Sequence, residues 1–503
     1  MSVTKLLSHL FDSRLKQIAR FNTEAEAIQQ GVLADLLERA RNTAYGKQYD
    51  FASIRSYQEF ACRLPLITYE ELKPYVERMK QGESNLIWSS QIKWFAKSSG
   101  TTNDKSKFIP VSKEALHKCH YQGGQDCVAL YLQMNPQSRF FSGKGLILGG
   151  SHSVNLFSKN SYYGDLSAIL IENVHPLVNY IRVPKKEIAL MEHWDVKLEA
   201  MADSTIHENI TNLSGVPSWF LVLIKRILEK TGKQNLTEVW PNLEVFFHGG
   251  ISFTPYREQY KELIPSDKMH YVETYNASEG FFAVQNDLND AGMLLMIDLG
   301  IFFEFIPLEE VGKENPRVIP LWETEVGKNY AVVITTNSGL WRYQIGDTVK
   351  FTSVSPYKIQ VSGRTKHFIN AFGEELMVDN ADKGLAVACA RTGAEIVDYS
   401  AAPVFMEGGK KAHHQWMIEF AKAPASVEAF ADTLDAALQE LNSDYEAKRY
   451  GSIALDRLSI ETARPHLFQD WLREKGKLGG QHKIPRLSNN RDIMDELIKM
   501  NKI

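Results

Sequence analysis

A Ser/Thr-rich segment, KSSGTTNDKSKF at residues 97–108, is the first part of this sequence that could do chemistry. Hydroxyl side chains around one glycine let backbone N–H groups approach an anion, and Lys105 or Lys107 can offset phosphate charge. The segment is not a Walker A loop, because no Gly-Lys pair in the chain is followed by Ser or Thr. A dinucleotide fingerprint is also missing, since GKGLILGG at 143–150 lacks the third glycine. On these residues alone, a plain polar turn is the commoner interpretation.

Two acidic residues follow strand-like runs. Glu279 comes after HYVETY (270–275), and a carboxylate at the C-terminal end of a strand is where α/β folds place Mg²⁺ ligands. The alternative, favoured on this segment alone, is a helix N-cap at Ser278. Asp347 follows a glycine in SGLWRYQIGDTVKF (338–351), where a turn carboxylate can accept both hydroxyls of a ribose. An ordinary Gly-Asp β-turn is the alternative there.

Lys483 is the fourth candidate, in GGQHKIPRL at 479–487. A lysine between Gly-Gly and Pro presents a mobile cation on a constrained backbone, and such a lysine can enter a site when a domain moves. The alternative is a solvated basic loop.

The elements that must position these residues follow an α/β pattern. Residues 1–85 are predicted to be mostly helical, and from about residue 90 short β-rich runs alternate with helical patterns such as 218–230 and 256–263. This alternation predicts a sheet with helices on both faces. The runs are IKWFA (92–96), GLILGG (145–150), LEVFFH (243–248), HYVETY (270–275), IFFEFI (301–306) and YAVVITT (330–336).

A domain boundary is plausible at Ser362-Gly363-Arg364. The residues after it read as a small α+β unit with strands near 394–399, 415–420 and 457–461 and helices near 426–442 and 491–501. A turn inside one domain at Gly363 is an equally good interpretation.

Composition excludes several classes of protein. The 503 residues are 44% hydrophobic and 23% charged, and 57 basic against 61 acidic residues leave a net charge of −4. These values argue against a disordered or coiled-coil protein and against nucleic acid as the main partner. Four scattered cysteines without a CxxC pair argue against a disulfide framework or structural zinc. Asp298 and Glu304 interrupt the most apolar stretch (293–308), so a soluble, cytoplasmic protein without membrane contact is expected.

Together the four segments resemble the auxin-responsive acyl acid–amido synthetase (Gretchen Hagen 3) family of adenylate-forming ligases. SSGTT with a downstream lysine, YNASEG (275–280), YQIGD (343–347), the Gly-Arg pair at 363–364 and GQHKIPR (480–486) occur in the family's order. The resemblance spans roughly residues 90–490 and includes SGVPSWFLVLIKRI (214–227) and GRTKHFINAFGEEL (363–376). Asn103-Asp104 depart from it, because family members often have a second glycine there.

The resemblance implies a large N-terminal α/β domain of adenylate-forming ligase type, residues 1–362, which binds ATP and the acid. A smaller, mobile α+β domain, residues 363–503, would carry the late lysine. Tyr275 would stack on adenine, Glu279 would reach Mg²⁺, Asp347 would take the ribose hydroxyls and Lys483 would bridge the acid and the α-phosphate. The other nucleotide contacts would be Ser98, Ser99, Gly100, Thr101, Thr102, Lys107, Gly249, Gly250, Ser278 and Arg364. Candidates for the acyl pocket are Tyr121, His152, Val216 and Phe220.

The implied reaction joins a carboxylic acid to AMP and passes the acyl group to the amine of an amino acid, with ATP and Mg²⁺ as cofactors. An acyl-coenzyme A ligase would share the first half-reaction, so a thioester product stays an alternative. A non-catalytic nucleotide-binding protein is a second alternative. The sequence names neither the acid, the amino acid nor the oligomeric state.

Overall fold

A computed structural model describes most of the chain. The described residues are 3–98, 107–149, 155–158, 160–191, 194–250, 253, 256–365, 368–369, 374, 376–404, 412–442, 445–446, 449, 455–476, 483–488 and 490–502. They divide into two compact units. The first contains residues 1–251, 263–345 and 349–360, and the second contains 252–262, 346–348 and 361–503.

Helices form the N-terminal part of the first unit, as expected for residues 1–85. Their starts follow from local sequence: Thr68 and Glu71 form a capping box at one helix, and the Thr43 side chain accepts a hydrogen bond from the N–H of Gly46 at another. The helices are α1 (Val3–Ser8), α2 (Asp12–Ala19), α3 (Ala25–Ala40), α4 (Ala44–Gln48), α5 (Tyr57–Arg63) and α6 (Tyr69–Lys80).

A small sheet follows the helices, with strand order β2-β1-β5-β4. Strands β1 and β2 are antiparallel, and the last residue of β1, Ser98, pairs with the first residue of β2, Lys107. Ser98 therefore lies directly opposite Lys107 in this sheet. The strands are β1 (Trp94–Ser98), β2 (Lys107–Val111), β4 (Asn155–Ser158) and β5 (Ser161–Gly164).

Ser112 begins the next helical segment, because its side chain accepts a hydrogen bond from the N–H of Ala115. The segment runs through α7 (Lys113–Ala115), a π-helical turn (Leu116–Tyr121) and α8 (Gln122–Met134). Single π-helical turns inside α-helices are frequent at functional sites.

The main sheet has twelve strands in the order β13-β12-β14-β15-β16-β11-β10-β9-β8-β7-β3-β6. Strands β9, β8, β7, β3 and β6 are parallel neighbours, and the β9–β10, β10–β11 and β12–β14 pairs are antiparallel. The strands are β3 (Lys144–Ile147), β6 (Arg182–Val183), β7 (Ile210–Gly215), β8 (Val245–Gly249), β9 (His270–Ala277), β10 (Gly280–Gln285), β11 (Met293–Leu295), β12 (Ile301–Pro307), β13 (Ile319–Pro320), β14 (Asn329–Thr336), β15 (Tyr343–Val354) and β16 (Tyr357–Arg364).

Helices between these strands alternate with them in the chain, which confirms the predicted α/β pattern. They are α9 (Leu166–Asn173), α10 (Lys186–Ala189), α11 (Trp194–Thr205), α12 (Pro217–Thr231) and α13 (Arg257–Leu263). Pro217 begins α12 and Gly232, in the left-handed conformation, ends it. Gly300, at φ +74°, turns the chain between β11 and β12, within the apolar stretch at 293–308.

The second unit is α+β. Helices α14 (Val378–Thr392) and α15 (Val427–Leu441) pack with the sheet β19-β20-β21 around a core that includes Tyr399, Trp416 and Phe430. The strands are β17 (Phe368–Ile369), β18 (Leu376–Met377), β19 (Glu395–Val404), β20 (His413–Lys422) and β21 (Ser459–Thr462), and the last helices are α16 (Leu467–Glu474) and α17 (Asp492–Asn501). Among the described residues, none of the helices has the length and apolar character needed to cross a membrane.

Candidate active site

The C-terminal ends of β8 and β9 bring two of the predicted segments together in the first unit. These parallel strands pair His248 with Glu273 and Gly249 with Thr274, so Gly249-Gly250 lie beside Tyr275. The approach is close enough to require glycine, because a Cβ on Gly249 would collide with the carbonyl oxygen of Thr274. Gly250 has φ +81°, which also favours glycine. The Tyr275 residue itself is 8% exposed, and its ring packs against Phe282 at 4.8 Å between ring centres.

Ser278 and Glu279 form the two-residue turn that joins β9 to β10. Ala277 pairs with Gly280 across the turn, which closes a tight hairpin. The helix N-cap that the segment alone favoured is therefore wrong, because the chain reverses into β10 instead of entering a helix. Ser278 is buried, and Glu279 is partly exposed. The hydroxyl and the carboxylate thus follow Tyr275 by three and four residues at one hairpin tip.

The π-helical turn packs behind this hairpin, which sequence reasoning did not foresee. The N–H of Phe281 donates to the Cys119 sulfur at 3.2 Å, and a Cβ on Gly123 would lie 2.5 Å from Cδ1 of Phe281. Burial raises the pKa of Cys119 to about 12 and lowers the pKa of His120 to about 4, with Asn276 opposing the shift of His120. Both side chains are therefore neutral near pH 7. An i→i+5 turn leaves no recognisable mark in a sequence.

The phosphate-loop candidates lie in the smaller sheet. Ser98 and Lys107 pair at the base of the β1–β2 hairpin, and the N–H of Phe108 donates to the Tyr69 hydroxyl at 2.8 Å. The Lys107 ammonium is 5.8 Å from the centre of the Tyr69 ring. Helix α6 thus supports the first residues of β2. The remaining loop candidates, Ser99, Gly100, Thr101 and Thr102, lie outside the described residues.

The acyl-pocket candidates have different surroundings. The Tyr121 hydroxyl, in the π-helical turn, donates to the carbonyl of Leu170 at 2.8 Å, and Val216 is the partly exposed residue before α12. Phe220 has no exposed surface and packs against Phe246 at 5.0 Å between ring centres. A fully buried side chain cannot contact a ligand in this conformation, so Phe220 is a core residue here. His152 lies outside the described residues.

Asp347, Arg364 and Lys483 belong to the second unit. Gly346, at φ +85°, and Asp347 lie within strand β15, so the expected β-turn at this position is wrong. The Arg364 guanidinium donates through Nε to Asp347 Oδ1 at 2.7 Å, and the Asp347 side chain is 15% exposed. This ion pair holds Asp347 Oδ1 in a fixed position.

Part of the Lys483 side chain is exposed to solvent. Many protein atoms lie near its ammonium group, which partly desolvates it. This desolvation, with repulsion from Arg486 and Arg364, lowers the pKa of Lys483 to about 7, against attraction from Asp347 and Asp398. The lysine is thus electrostatically coupled to the Asp347–Arg364 pair. The sequence signal for Arg486 was available, since it belongs to the same KIPR segment as the lysine.

Glu279 is the one carboxylate proposed here as a protein ligand for Mg²⁺. In the described part of the chain, no three His, Cys, Asp or Glu side chains group as metal ligands. A Mg²⁺ at Glu279 would therefore take its remaining ligands from phosphates and water, which is how proteins commonly hold Mg²⁺.

Three family models match this chain. They are described as the GH3 family N-terminal domain (residues 14–269), central domain (294–364) and C-terminal domain (379–492). Among curated relatives, indole-3-acetic acid-amido synthetase GH3.3 of Arabidopsis thaliana is 22% identical over 96% of this chain and 93% of its own length. Indole-3-acetic acid-amido synthetase GH3.8 of Oryza sativa subsp. indica is 23% identical over 94% of this chain and 90% of its own.

Solved structures share the fold. GH3.15 acyl acid amido synthetase superposes with a TM-score of 0.76 at 18% identity, over 98% of this chain and 95% of that one. A 2-hydroxyisobutyryl-CoA ligase in its postadenylation state has a TM-score of 0.59 at 12% identity, over 94% and 91% of the two chains. The fold is therefore that of adenylate-forming ligases, with a large N-terminal α/β part and a smaller C-terminal domain. The family models together extend over most of the sequence, and this chain belongs to the GH3 family.

Proposed function

We propose that this protein is an ATP-dependent acyl acid-amido synthetase. It adenylates a carboxylic acid and transfers the acyl group to the amino group of an amino acid. The observation that carries the proposal is the β8–β9 register, with Gly249-Gly250 beside Tyr275 and Ser278-Glu279 in the next turn. Membership of the GH3 family supports it, because relatives across nearly the whole chain are named indole-3-acetic acid-amido synthetases.

The nucleotide contacts in this proposal are those that the family resemblance implies. Adenine lies against Gly249-Gly250 and the Tyr275 ring, and Ser278 lies near the α-phosphate. Asp347, oriented by Arg364, accepts the ribose hydroxyls. The β and γ phosphates are held by Lys107 and by the segment that begins at Ser98 and contains Ser99, Gly100, Thr101 and Thr102.

Glu279 is the protein ligand for Mg²⁺ in this proposal. When bound, Mg²⁺ supplies screening of the negative charges on the triphosphate. Glu279 is partly exposed at the tip of a hairpin, and the remaining Mg²⁺ ligands would be phosphate oxygens and water.

The first half-reaction brings two anions together. A carboxylate oxygen of the acid attacks the α-phosphorus of ATP, the bond to the β-phosphate oxygen breaks, and pyrophosphate leaves. Lys483, once protonated, stabilises the charge on both groups as they approach. Because anions favour the ammonium form, their binding raises the proton occupancy of a lysine whose pKa is about 7 in the free protein.

The second half-reaction makes the amide. The amine of the amino acid attacks the acyl carbonyl, the bond from the carbonyl carbon to the AMP oxygen breaks, and AMP leaves while the amine loses a proton. This step does not use Lys483. In this proposal, residues 1–362 bind ATP and the acid, and residues 363–503 form a mobile domain that moves the lysine out of the site before the amine enters. Tyr121 and Val216 remain the proposed contacts of the acid, with His152 as a further candidate.

A product screen tests the proposal. The protein is incubated with ATP, Mg²⁺, a panel of aryl and indole acids that includes benzoate and indole-3-acetate, and either the twenty amino acids or coenzyme A, and products are read by mass spectrometry. We expect an amide together with AMP and pyrophosphate. A thioester without any amide would identify an acyl-coenzyme A ligase, and ATP binding without either product would identify a nucleotide-binding protein.

The role of Lys483 is tested by Lys483→Ala. We expect pyrophosphate exchange with ATP to fall at least about 100-fold, because one positioned charge at the reacting phosphate is removed. ATP binding, measured by calorimetry, should change by less than about threefold. Exchange at the full rate in this variant would show that the lysine has another role.

A further inference from the structure

The segment that carries Lys483 is fixed to strand β19 by its backbone. Ser400 Oγ donates to the carbonyl of Pro485 at 2.8 Å, and the N–H of Ala401 donates to the carbonyl of Arg486 at 2.8 Å. The N–H of Ser488 donates a hydrogen bond to the carbonyl of Ala401 at 3.1 Å. The residues just after the lysine therefore run beside β19 as a short parallel bridge.

The Arg486 side chain is held on several sides. Its Nη1 donates to Asp382 Oδ1 at 2.7 Å, and its Nη2 donates to the Tyr256 hydroxyl at 3.2 Å. The guanidinium carbon lies 4.9 Å from the centre of the Tyr399 ring, and the Tyr399 hydroxyl donates to the same Asp382 oxygen at 2.7 Å. Asp398 lies 3.8 Å from Nη2. A planar fork that satisfies two partners at once while stacking on a ring cannot be reproduced by lysine.

The residues that bind Arg486 are buried. Asp382 is 2% exposed and Tyr399 is fully buried. Separating a buried guanidinium from its carboxylate leaves an uncompensated charge, so the Arg486 position is strongly determined. The lysine is three residues away, on the same constrained segment.

We propose that Arg486 is a positioning residue for Lys483, which it serves by fixing the course of the lysine segment and by placing a permanent positive charge next to the lysine. The inference rests on the proposed function in its assignment of Lys483 to adenylation. Arg486 itself does not contact the reacting atoms in this account.

The charges that act on Lys483 come from three strands and from its own segment. They are Arg486 on the lysine segment, Asp347 on β15, Arg364 on β16 and Asp398 on β19. Both arginines are paired with a carboxylate, Arg364 with Asp347 and Arg486 with Asp382, and Arg486 has the larger repulsive effect on the lysine. The fixed charge of Arg486 favours release of the lysine proton until anionic substrates arrive.

The first experiment needs no substrate. Trace labelling with acetic anhydride between pH 5 and 10, read on the Lys483 peptide by mass spectrometry, reports the neutral fraction of the lysine in the full-length protein. We expect a midpoint near pH 7 in the wild type and a higher midpoint in Arg486→Gln. A rise of one pH unit lowers the neutral fraction at pH 7 about fivefold. Arg486→Lys should keep the midpoint near that of the wild type, because it keeps the charge.

A matched control exists in the same C-terminal stretch. Arg491 also binds a carboxylate, Asp495, and donates to the carbonyl of Pro403 at 3.2 Å, and it is not among the largest charge effects on Lys483. Arg491→Gln should therefore titrate like the wild type. An Arg486→Gln profile that superposes on the Arg491→Gln profile would overturn the electrostatic part of the inference.

The second experiment separates position from general damage. Adenylation is measured by exchange of labelled pyrophosphate into ATP with the best acid from the product screen, and amide formation is measured from the synthetic acyl-adenylate. We expect Arg486→Gln and Arg486→Lys to reduce exchange at least about tenfold, since an error of 1 Å in a catalytic group can cost a hundredfold. Amide formation should stay within about threefold of the wild type. Equal losses in both half-reactions, or no loss in either, would overturn the positioning role.

The two proposals fail in different ways. If wild-type protein exchanges pyrophosphate into ATP without any acid, the proposed function is wrong. The acetic anhydride labelling of Lys483 still tests whether Arg486 affects the pKa of Lys483. If the wild type and Lys483→Ala behave as expected and the Arg486 variants match the wild type, only the positioning inference fails. If Arg486→Gln does not fold, the positioning role is tested with Arg486→Lys, by comparing its rates of pyrophosphate exchange and of amide formation with those of the wild type.

Discussion

Two adjacent glycines in α8 give a sharp test of how the Ser278-Glu279 hairpin is supported. Gly123 is buried against Phe281, and a Cβ placed on it would lie 2.5 Å from Cδ1 and 2.9 Å from Cβ of that residue. These atoms are close to the Phe281 backbone, so strand β10 itself has to move. Gly124 is exposed and has nothing within 4 Å of its Cβ position.

The stability difference follows from this geometry. Either Gly→Ala change stabilises the helix by about 0.5–1 kcal/mol, because alanine loses less backbone entropy than glycine. Gly123→Ala also overpacks the contact with Phe281, which costs about 1–3 kcal/mol. The helix contribution cancels between the two variants, so Gly123→Ala should be less stable than Gly124→Ala by about 1–3 kcal/mol. At about 1 °C per kcal/mol for a chain of this length, their melting temperatures should differ by at least about 1 °C.

Activity provides the second measurement. Phe281 follows Glu279 by two residues, so a shift of β10 moves the carboxylate, and we expect pyrophosphate exchange to fall at least about tenfold in Gly123→Ala. Gly124→Ala should exchange like the wild type. Circular dichroism melting and exchange are measured on both proteins. If Gly123→Ala has the same melting temperature as Gly124→Ala and exchanges at the wild-type rate, the reasoning that the start of α8 supports the hairpin is refuted.

Two further predictions concern buried charge in the first unit. Arg342 donates to the fully buried Glu304 at 2.9 Å and to the carbonyls of Ala61 and Leu64, so Arg342→Gln should destabilise the protein by about 3–5 kcal/mol in urea unfolding, and a loss below about 1 kcal/mol would contradict this. Burial lowers the pKa of His120 to about 4 in the folded protein. As the pH falls, His120 therefore becomes protonated near pH 6.5 in the unfolded chain and only near pH 4 in the folded protein. Stability should therefore fall as pH drops through this window, by up to about 1.4 kcal/mol per pH unit, and His120→Leu should remove that part of the slope. Identical slopes in denaturant titrations of the two proteins would show that His120 does not contribute.

The strands and long helices could be predicted from the sequence. IFFEFI and YAVVITT lie in β12 and β14, and the helical pattern at 218–230 falls within α12. Continuous β-branched and aromatic runs leave few alternatives when they are fully buried, and the positive φ of Gly300 marks the turn that separates two of them. The order of the sheet was not predictable, because pairing of distant strands such as β11 and β16 depends on tertiary contacts.

Local context misled two predictions at the site. Ser278-Glu279 resembled a helix N-cap, and the chain instead makes a hairpin because β10 pairs back onto β9. Gly346-Asp347 resembled a β-turn, and the glycine instead adopts a positive φ inside β15. In both cases the competing structure was a long-range sheet, which short-range propensities do not contain.

The residues around Lys483 show a different limit. The lysine was singled out by its Gly-Gly and Pro neighbours, and nothing in the sequence connected it to Asp382, Tyr399 or Asp398. These residues lie on α14 and β19, some hundred positions earlier, and only the fold brings their charges to the lysine segment. Phe220 shows the reverse case, because an apolar residue in a family-like segment proved to be core.

The central claim is that an acid oxygen becomes bonded to the α-phosphorus of ATP in this protein. The direct test uses the acid from the product screen labelled with ¹⁸O in both carboxyl oxygens, in unlabelled water, with ATP and the amino acid. AMP should gain one ¹⁸O atom, because the carboxylate oxygen that attacks phosphorus stays with AMP when the amine displaces it. The amide keeps the other ¹⁸O atom. Label in orthophosphate with ADP as product, or amide formation with no label in AMP, would show that no acyl-adenylate is formed.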